Sequence, residues 1–388
     1  MFGKDLKKEL SELNKFEKLS EDERSIVVYV ENEYYYIYLK SIIKELTEHY
    51  GINICYITSS KTDPILKNSN DKILAFYIGS GIIRTKFFLN LKAKVLITTM
   101  PDLQTFHIKR SKISNVKYVY VFHSLVSTHL VYRINAFDNY DLILCTGNYQ
   151  IQEIQERESK YNLKSKKLIK CGYGRLDDLI IEYKNWKRKS ESVIKTKQVL
   201  IAPSWGENGL IETIGDKVVN ELLELNYKVI LRPHPMTVKK FPKKVQKIKE
   251  KYNNNKNFYL EEDIRTFDSF YSSDCVISDW SGVALEYAFT TKKPVLFIDV
   301  PTKMRNLEYE KISLVPLEVR IRNQIGDIIS PDNISELGNK IELIIKNQQQ
   351  YVEKIENIHQ ELIFNIQHSG NIAAKEILKL INYKIDEK

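Results

Sequence analysis

The sequence predicts an α/β protein made of two doubly wound, parallel-sheet domains. Three observations predict it. Short runs rich in Val, Ile and Tyr, apolar on both faces, recur along the chain, as strands covered by helices on both sides must be. Helical stretches separate several of these runs, and such alternation builds doubly wound sheets. The alternation stops in the polar, basic stretch 180–196 and then restarts. A length of 388 residues suits more than one core.

In the first half, "SIVVYVE" (26–32) reads as a strand. "YLKSIIKELTEHYG" (38–51) follows at helical spacing and closes on glycine. "NICYIT" (53–58), "ILAFYIG" (73–79), "KVLITT" (94–99), "KYVYVFH" (117–123) and "DLILCTG" (141–147) are the next strands. Residues 180–196 read as a helix end and a linker, dividing a domain of residues 1–185 from one of residues 186–388. In the second half the strands are "QVLIAPSW" (198–205), "YKVILRPHP" (227–235), "NFYLEE" (257–262), "DCVISD" (274–279) and "PVLFID" (294–299). Residues 213–225 and 282–291 are helices between them. In the tail, Asp332 or Asn333 is expected to cap a helix over 332–347, with Glu336 at the capping-box position. An amphipathic run continues to about residue 383.

Composition excludes several classes. Hydrophobic residues make up 43% and charged residues 28%, an ordinary soluble balance. No apolar run is long enough to cross a bilayer, and the first residues lack the apolar core of a signal peptide, so a cytoplasmic location is expected. Cys55, Cys145, Cys171 and Cys275 are far apart, without zinc spacing. They read as buried thiols. With no carboxylate cluster evident either, neither a metal nor a cofactor is expected. The net charge is +9, much of it in Lys187–Lys189 and in the lysines of 239–251. Such a surface attracts phosphate-bearing substrates, anionic lipid or nucleic acid. No nucleic-acid motif accompanies it, so nucleic acid is not expected as a partner. With Val245 and Ile248 facing inward, the lysines of 239–251 would meet an anionic membrane surface peripherally.

Ligands of doubly wound folds bind outside the carboxyl ends of the strands. The polar residues at strand ends are therefore the candidates. Ser278, Asp279, Ser281 and Gly282 stand where a strand meets a helix. The first N–H groups of a helix attract an anion, serines add donors, and glycine admits a phosphate close to the backbone. An N-cap serine would explain Ser281 alone. "RPHP" holds Arg232 and His234 in a rigid exit, and both suit a phosphate. Together these predict a diphosphate pocket. Ser204 and Glu207 follow the "APSW" strand, Glu207 as an acid/base, a sugar contact or a plain loop carboxylate. His123 ends a strand in the first half and is a candidate general base. Ser124, Ser127, Thr128 and His129 follow it at an expected helix start. Arg175 and Asp177, in "CGYGRLDDL", precede the linker and suit donor contact or a hinge.

These pieces, in this order, resemble the CDP-glycerol glycerophosphotransferases of teichoic acid and capsule synthesis. The family shows a strand-end His, then "GxPRxD", "APTW", "RPHP", "SDYSS…DYA" and "KPVIFY". Here they stand as His123, "GYGRLD", "APSW", "RPHP", "SDWSGVALEYA" and "KPVLFID", over residues 117–300. The chain departs from the pattern with "FHS" for "WHG", with Gly174 for the proline, with Gly282 for the second serine and with Glu286 for the aspartate. The resemblance implies the GT-B architecture of two Rossmann-like domains, an acceptor-side first domain and a nucleotide-donor-binding second one. It implies transfer of a polyol phosphate from a CDP-linked donor to a lipid-linked or polysaccharide acceptor. His123 and His234 would be catalytic or phosphate-handling, and Ser278 and Ser281 would bind phosphate. The same pocket also resembles that of CMP-sugar transferases for Kdo or sialic acid, in which Glu207 would be catalytic with a CMP-linked donor. A sugar-nucleotide 2-epimerase or a non-catalytic binding module shares the architecture.

Overall fold

The structure is a computed structural model and describes residues 2–67, 71–105, 107–189, 197–263 and 265–384. Along the chain run α1 (Phe2–Glu17), β1 (Ile26–Val30), α2 (Tyr36–Lys44), β2 (Ile54–Thr58), β3 (Ile73–Tyr77), α3 (Ile82–Leu89), β4 (Val95–Thr98), β5 (Lys117–Val121), β6 (Leu142–Cys145), α4 (Asn148–Lys160), β7 (Lys167–Lys170) and α5 (Gly174–Lys189). Then come β8 (Gln198–Ile201), α6 (Leu210–Thr213), α7 (Gly215–Glu224), β9 (Lys228–Leu231), α8 (Pro235–Lys240), α9 (Pro242–Tyr252), β10 (Phe258–Leu260), α10 (Asp268–Ser272), β11 (Cys275–Ser278), α11 (Val283–Thr291) and β12 (Val295–Ile298). The chain ends with α12 (Leu317–Ile325), β13 (Gly326–Ile329), α13 (Leu337–Lys346), α14 (Gln348–Leu362) and α15 (Ser369–Leu380).

Two compact units form. The first holds residues 1–123, 132–178 and 363–388; the second holds 124–131 and 179–362. The chain thus passes into the second unit inside α5, ahead of the boundary expected at 185, and the last helix returns to the first unit. The linker expected at 180–196 is helical as far as Lys189, and its remainder lies outside the described residues.

The first unit carries a seven-stranded sheet in the order β3-β2-β1-β4-β5-β6-β7, and the second a six-stranded sheet in the order β10-β9-β8-β11-β12-β13. Every pairing is parallel. The interior strands are buried apart from Lys117 and Lys228 at the starts of β5 and β9, which is why they read as near-unbroken apolar runs. Two edge strands escape a pattern search: β7, "KLIK", and β13, "GDII", are short and half-covered.

In α9, Val245, Ile248 and Tyr252 fall on one buried stripe at helical spacing. α15 gives the first unit's core Ala373, Ala374, Ile377 and Leu378. The capping expected at Asp332 or Asn333 is instead made by Ser330. Its hydroxyl accepts from the Asp332 N–H at 3.3 Å and starts a 3-10 turn that leads into α13. The four cysteines are buried and unpaired. Burial pushes the Cys55 and Cys275 thiols up to about 12, so they are inert. Among the described residues no helix is long and apolar enough to cross a membrane.

Candidate active site

In the second unit's sheet, β9 and β11 lie on opposite sides of β8. The strand order reverses between β8 and β11, and that switch point is where doubly wound sheets bind ligands. The exits of β8, β9 and β11 carry Ser204-Trp205, His234 and Ser281-Gly282. Adjacent strands lie ~5 Å apart, so these three exits span roughly 10 Å.

His234 caps α8. Its Nδ1 accepts the Met236 N–H at 3.0 Å. A ring nitrogen that accepts carries no proton, so the ring proton sits on Nε2. The ring sits 6.2 Å from that of Trp205. At the start of α11 the Ser281, Gly282 and Val283 N–H groups find no acceptor among the described residues. Ser281 is partly exposed. This helix end therefore keeps donors without a protein acceptor, with the positive dipole end behind them.

Several predicted ligand contacts are committed elsewhere. The Ser278 hydroxyl is buried and donates to the Ala202 carbonyl at 2.8 Å, stitching β11 to the β8 exit. Asp279 is buried and accepts from the Ser204 N–H at 2.6 Å and the Leu210 N–H at 3.3 Å. With one bond to each carboxylate oxygen it shapes the loop after β8, and Ser204 is its buried partner. Arg232 is buried and donates from Nε to Glu261 at 2.6 Å and from a terminal nitrogen to the Thr266 carbonyl at 2.6 Å, against the Phe267 ring. Breaking such a pair costs about 3–5 kcal/mol, so Arg232 holds the site's wall. Glu207 is exposed in the turn between Gly206 and Gly209.

Gly282 also lies close against a neighbouring segment. A Cβ there would stand 2.1 Å from Ser124 Oγ and 3.2 Å from the Leu125 nitrogen. The segment 124–131 forms no helix start. It packs in the second unit, where the Ser127 N–H donates to Glu318 at 2.9 Å and His129 Nε2 meets the Leu314 carbonyl at 3.0 Å.

In the first unit, His123 lies beyond β5 with Nδ1 3.4 Å from the Tyr120 hydroxyl. The Tyr35, Tyr38 and Tyr132 rings surround it with centroids 5.4, 6.0 and 6.0 Å away. Burial drives its pKa down to about 4, so the ring is neutral at pH 7. Tyr38 also lines a cleft with Ser41, Thr146, Gly172, Tyr173 and Ser369. Arg175 is buried on α5. Asp177 accepts from the Gln367 and Ser369 N–H groups at 2.6 and 3.1 Å, and so docks the C-terminal segment. Beside it, Gly172 (φ +100°) lets Phe364 O pass where a Cβ would stand 2.3 Å away. Among the described residues no cluster of His, Cys, Asp and Glu could hold a metal.

The sequence matches the family described as CDP-glycerol:poly(glycerophosphate) glycerophosphotransferase over residues 23–381. The chain belongs to this family. It is a CDP-glycerol glycerophosphotransferase-type enzyme of the GT-B fold. The chain is similar in fold to the wall teichoic acid polymerase TagF, in crystals soaked with CDPG, at 18% identity and a TM-score of 0.59 over 97% of this chain and 94% of that one. It is also similar to UDP-GlcNAc 2-epimerase from Neisseria meningitidis, at 16% and 0.59 over 91% and 99% of the two chains. A glycosyltransferase from Rickettsia africae matches at 15% and 0.53 over 93% and 99%. At these identities the likeness is one of fold. No curated protein matches the sequence.

A cation without a sequence signal also stands at the strand exits of the second unit. Lys303, in the loop after β12, places its Nζ 4.6 Å from the Trp205 ring centroid. A lysine in "VPTKMRN" carries no local signal; only its place past a strand end could have marked it.

Proposed function

We propose that the enzyme moves glycerol phosphate from CDP-glycerol to a hydroxyl of a glycan or lipid-linked acceptor in teichoic acid synthesis. The observation that carries the site assignment is that His234 and the α11 N-terminus, whose Ser281, Gly282 and Val283 N–H groups have no acceptor among the described residues, stand at strand exits of one switch point. An acceptor oxygen attacks the donor's β-phosphorus. The bond from that phosphorus to the bridging oxygen breaks, and CMP leaves with its electron pair. Charge builds on the diphosphate oxygens, where His234, the Ser281 hydroxyl and the α11 N–H groups stabilise it without reorganising. His123, neutral at pH 7, is the proposed base for the acceptor proton. Glu207 is left as a loop contact near the glycerol. The exposed lysine face of α9 is the part proposed to meet an anionic membrane.

The test is CMP release from CDP-glycerol, CDP-ribitol and CMP-Kdo with acceptor present. CDP-glycerol turnover that falls on the order of 100-fold in His234→Ala is expected, one lost transition-state donor costing about that much. Turnover of CMP-Kdo alone would overturn the donor.

A further inference from the structure

Lys303 is half-buried and forms no ion pair or hydrogen bond among the described residues. Its ammonium lies on the Trp205 ring, which Lys240 Nζ also approaches, at 4.8 Å, with His234 beside it. Trp205 follows β8 and His234 follows β9. A third link comes from the β11 exit, where Trp280 Nε1 donates to the Val300 carbonyl at 2.8 Å, three residues before Lys303. Lys303 is thereby tied to all three strand exits of the switch point.

Asp279 and Glu212 lie near Lys303 and favour its charge, while Arg305 opposes it, and neither carboxylate forms an ion pair with it. Asp279 holds the Ser204 and Leu210 N–H groups, and Glu212 accepts from the Thr237 hydroxyl at 2.8 Å. A cation partly taken from water with no carboxylate at ion-pair distance costs free energy. Contact with an indole face returns about 0.5–2 kcal/mol of that cost. A dianionic ligand would return more.

We propose that Lys303 is a donor-binding residue which, with Lys240 at the same Trp205 ring, grips the diphosphate of the nucleotide donor. This rests on the CDP-linked donor proposed above. Burial lowers the Lys303 pKa to about 8, so the charge needed for binding is present at pH 7. Above pH 8 the free enzyme has lost that proton and must regain it to bind. Donor affinity therefore weakens as pH rises through 8.

Calorimetric titration of the full chain with CDP-glycerol and with inorganic pyrophosphate tests this. Lys303→Met should weaken both about 10- to 100-fold, the worth of one hydrogen bond to a charged group, while Lys303→Arg retains most of the affinity at an unchanged Tm. Wild-type affinity should fall up to about tenfold from pH 8 to pH 9 by proton linkage, and that fall should vanish in Lys303→Met. If Lys303→Met binds pyrophosphate like wild type, the proposal is overturned. If wild type binds pyrophosphate but not CDP-glycerol, the donor reading fails while Lys303 stands.

Discussion

His123 shows how a residue's setting defines its chemistry. An exposed imidazole would be half-protonated near pH 6.5. Inside the ring of Tyr35, Tyr38 and Tyr132, with its pKa near 4, it is neutral throughout the physiological range. A base is active when unprotonated, so its acidic limb should lie near pH 4 in a kcat/KM profile, which reports the free enzyme. Opening the cage with Tyr38→Ala should move that limb up toward 6.5. His123→Ala should lower kcat by roughly 10²–10⁴ and leave the CDP-glycerol Kd unchanged. Full activity in that variant would remove His123 from the role of base.

The joint between β11 and α11 is the unit that matters at the scale of elements. Ser278 and Asp279 look like ligands in the sequence but serve as fasteners, tying β11 to the β8 exit. Two residues further on, Ser281 is partly exposed, and the first N–H groups of α11 have no acceptor among the described residues. Gly282 lets the 124–131 segment pass over that end. Gly282→Ala has an ordinary helical backbone (φ −62°, ψ −19°), so any cost arises from the Ser124 contact. Overpacking of this kind costs about 1–3 kcal/mol. The expected result in urea is a lowered midpoint for Gly282→Ala that Ser124→Ala largely restores, with a coupling energy above ~0.5 kcal/mol. Equal midpoints for Gly282→Ala and wild type would show that the contact gives way freely.

Over the whole molecule the charge is +9, and its densest exposed part is the outer face of α9. Lys243, Lys244 and Lys247 point to solvent there. Lys249 and Lys251 are paired, with Glu262 at 3.4 Å and Asp216 at 3.0 Å. Three free lysines near an anionic leaflet are worth ~1 kcal/mol each. Sedimentation with vesicles containing anionic lipid should show binding that 0.5 M salt abolishes, because the Debye length shrinks below the contact distance. Replacing the three lysines with Gln should weaken binding on the order of 100-fold. Binding indifferent to salt and to these changes would assign the membrane contact elsewhere.

The strands, their parallel pairing and the doubly wound class were legible in the sequence, because burial on both faces leaves a local mark: five or six apolar residues in a row, repeated. The same logic brought His123, His234 and Ser281 forward, since polar residues at the ends of such runs have few other reasons to be there. Which of the candidates are tied to the scaffold depends on the folded chain. Ser278 bonds to Ala202, Arg232 to Glu261 and Asp279 to Ser204, partners 29 to 76 residues away in sequence. Lys303 and the Ser124–Gly282 contact were invisible for the same reason. A hydrogen-bond donor is free or engaged according to what lies within about 3 Å of it, and chain folding, not local spacing, brings those atoms there.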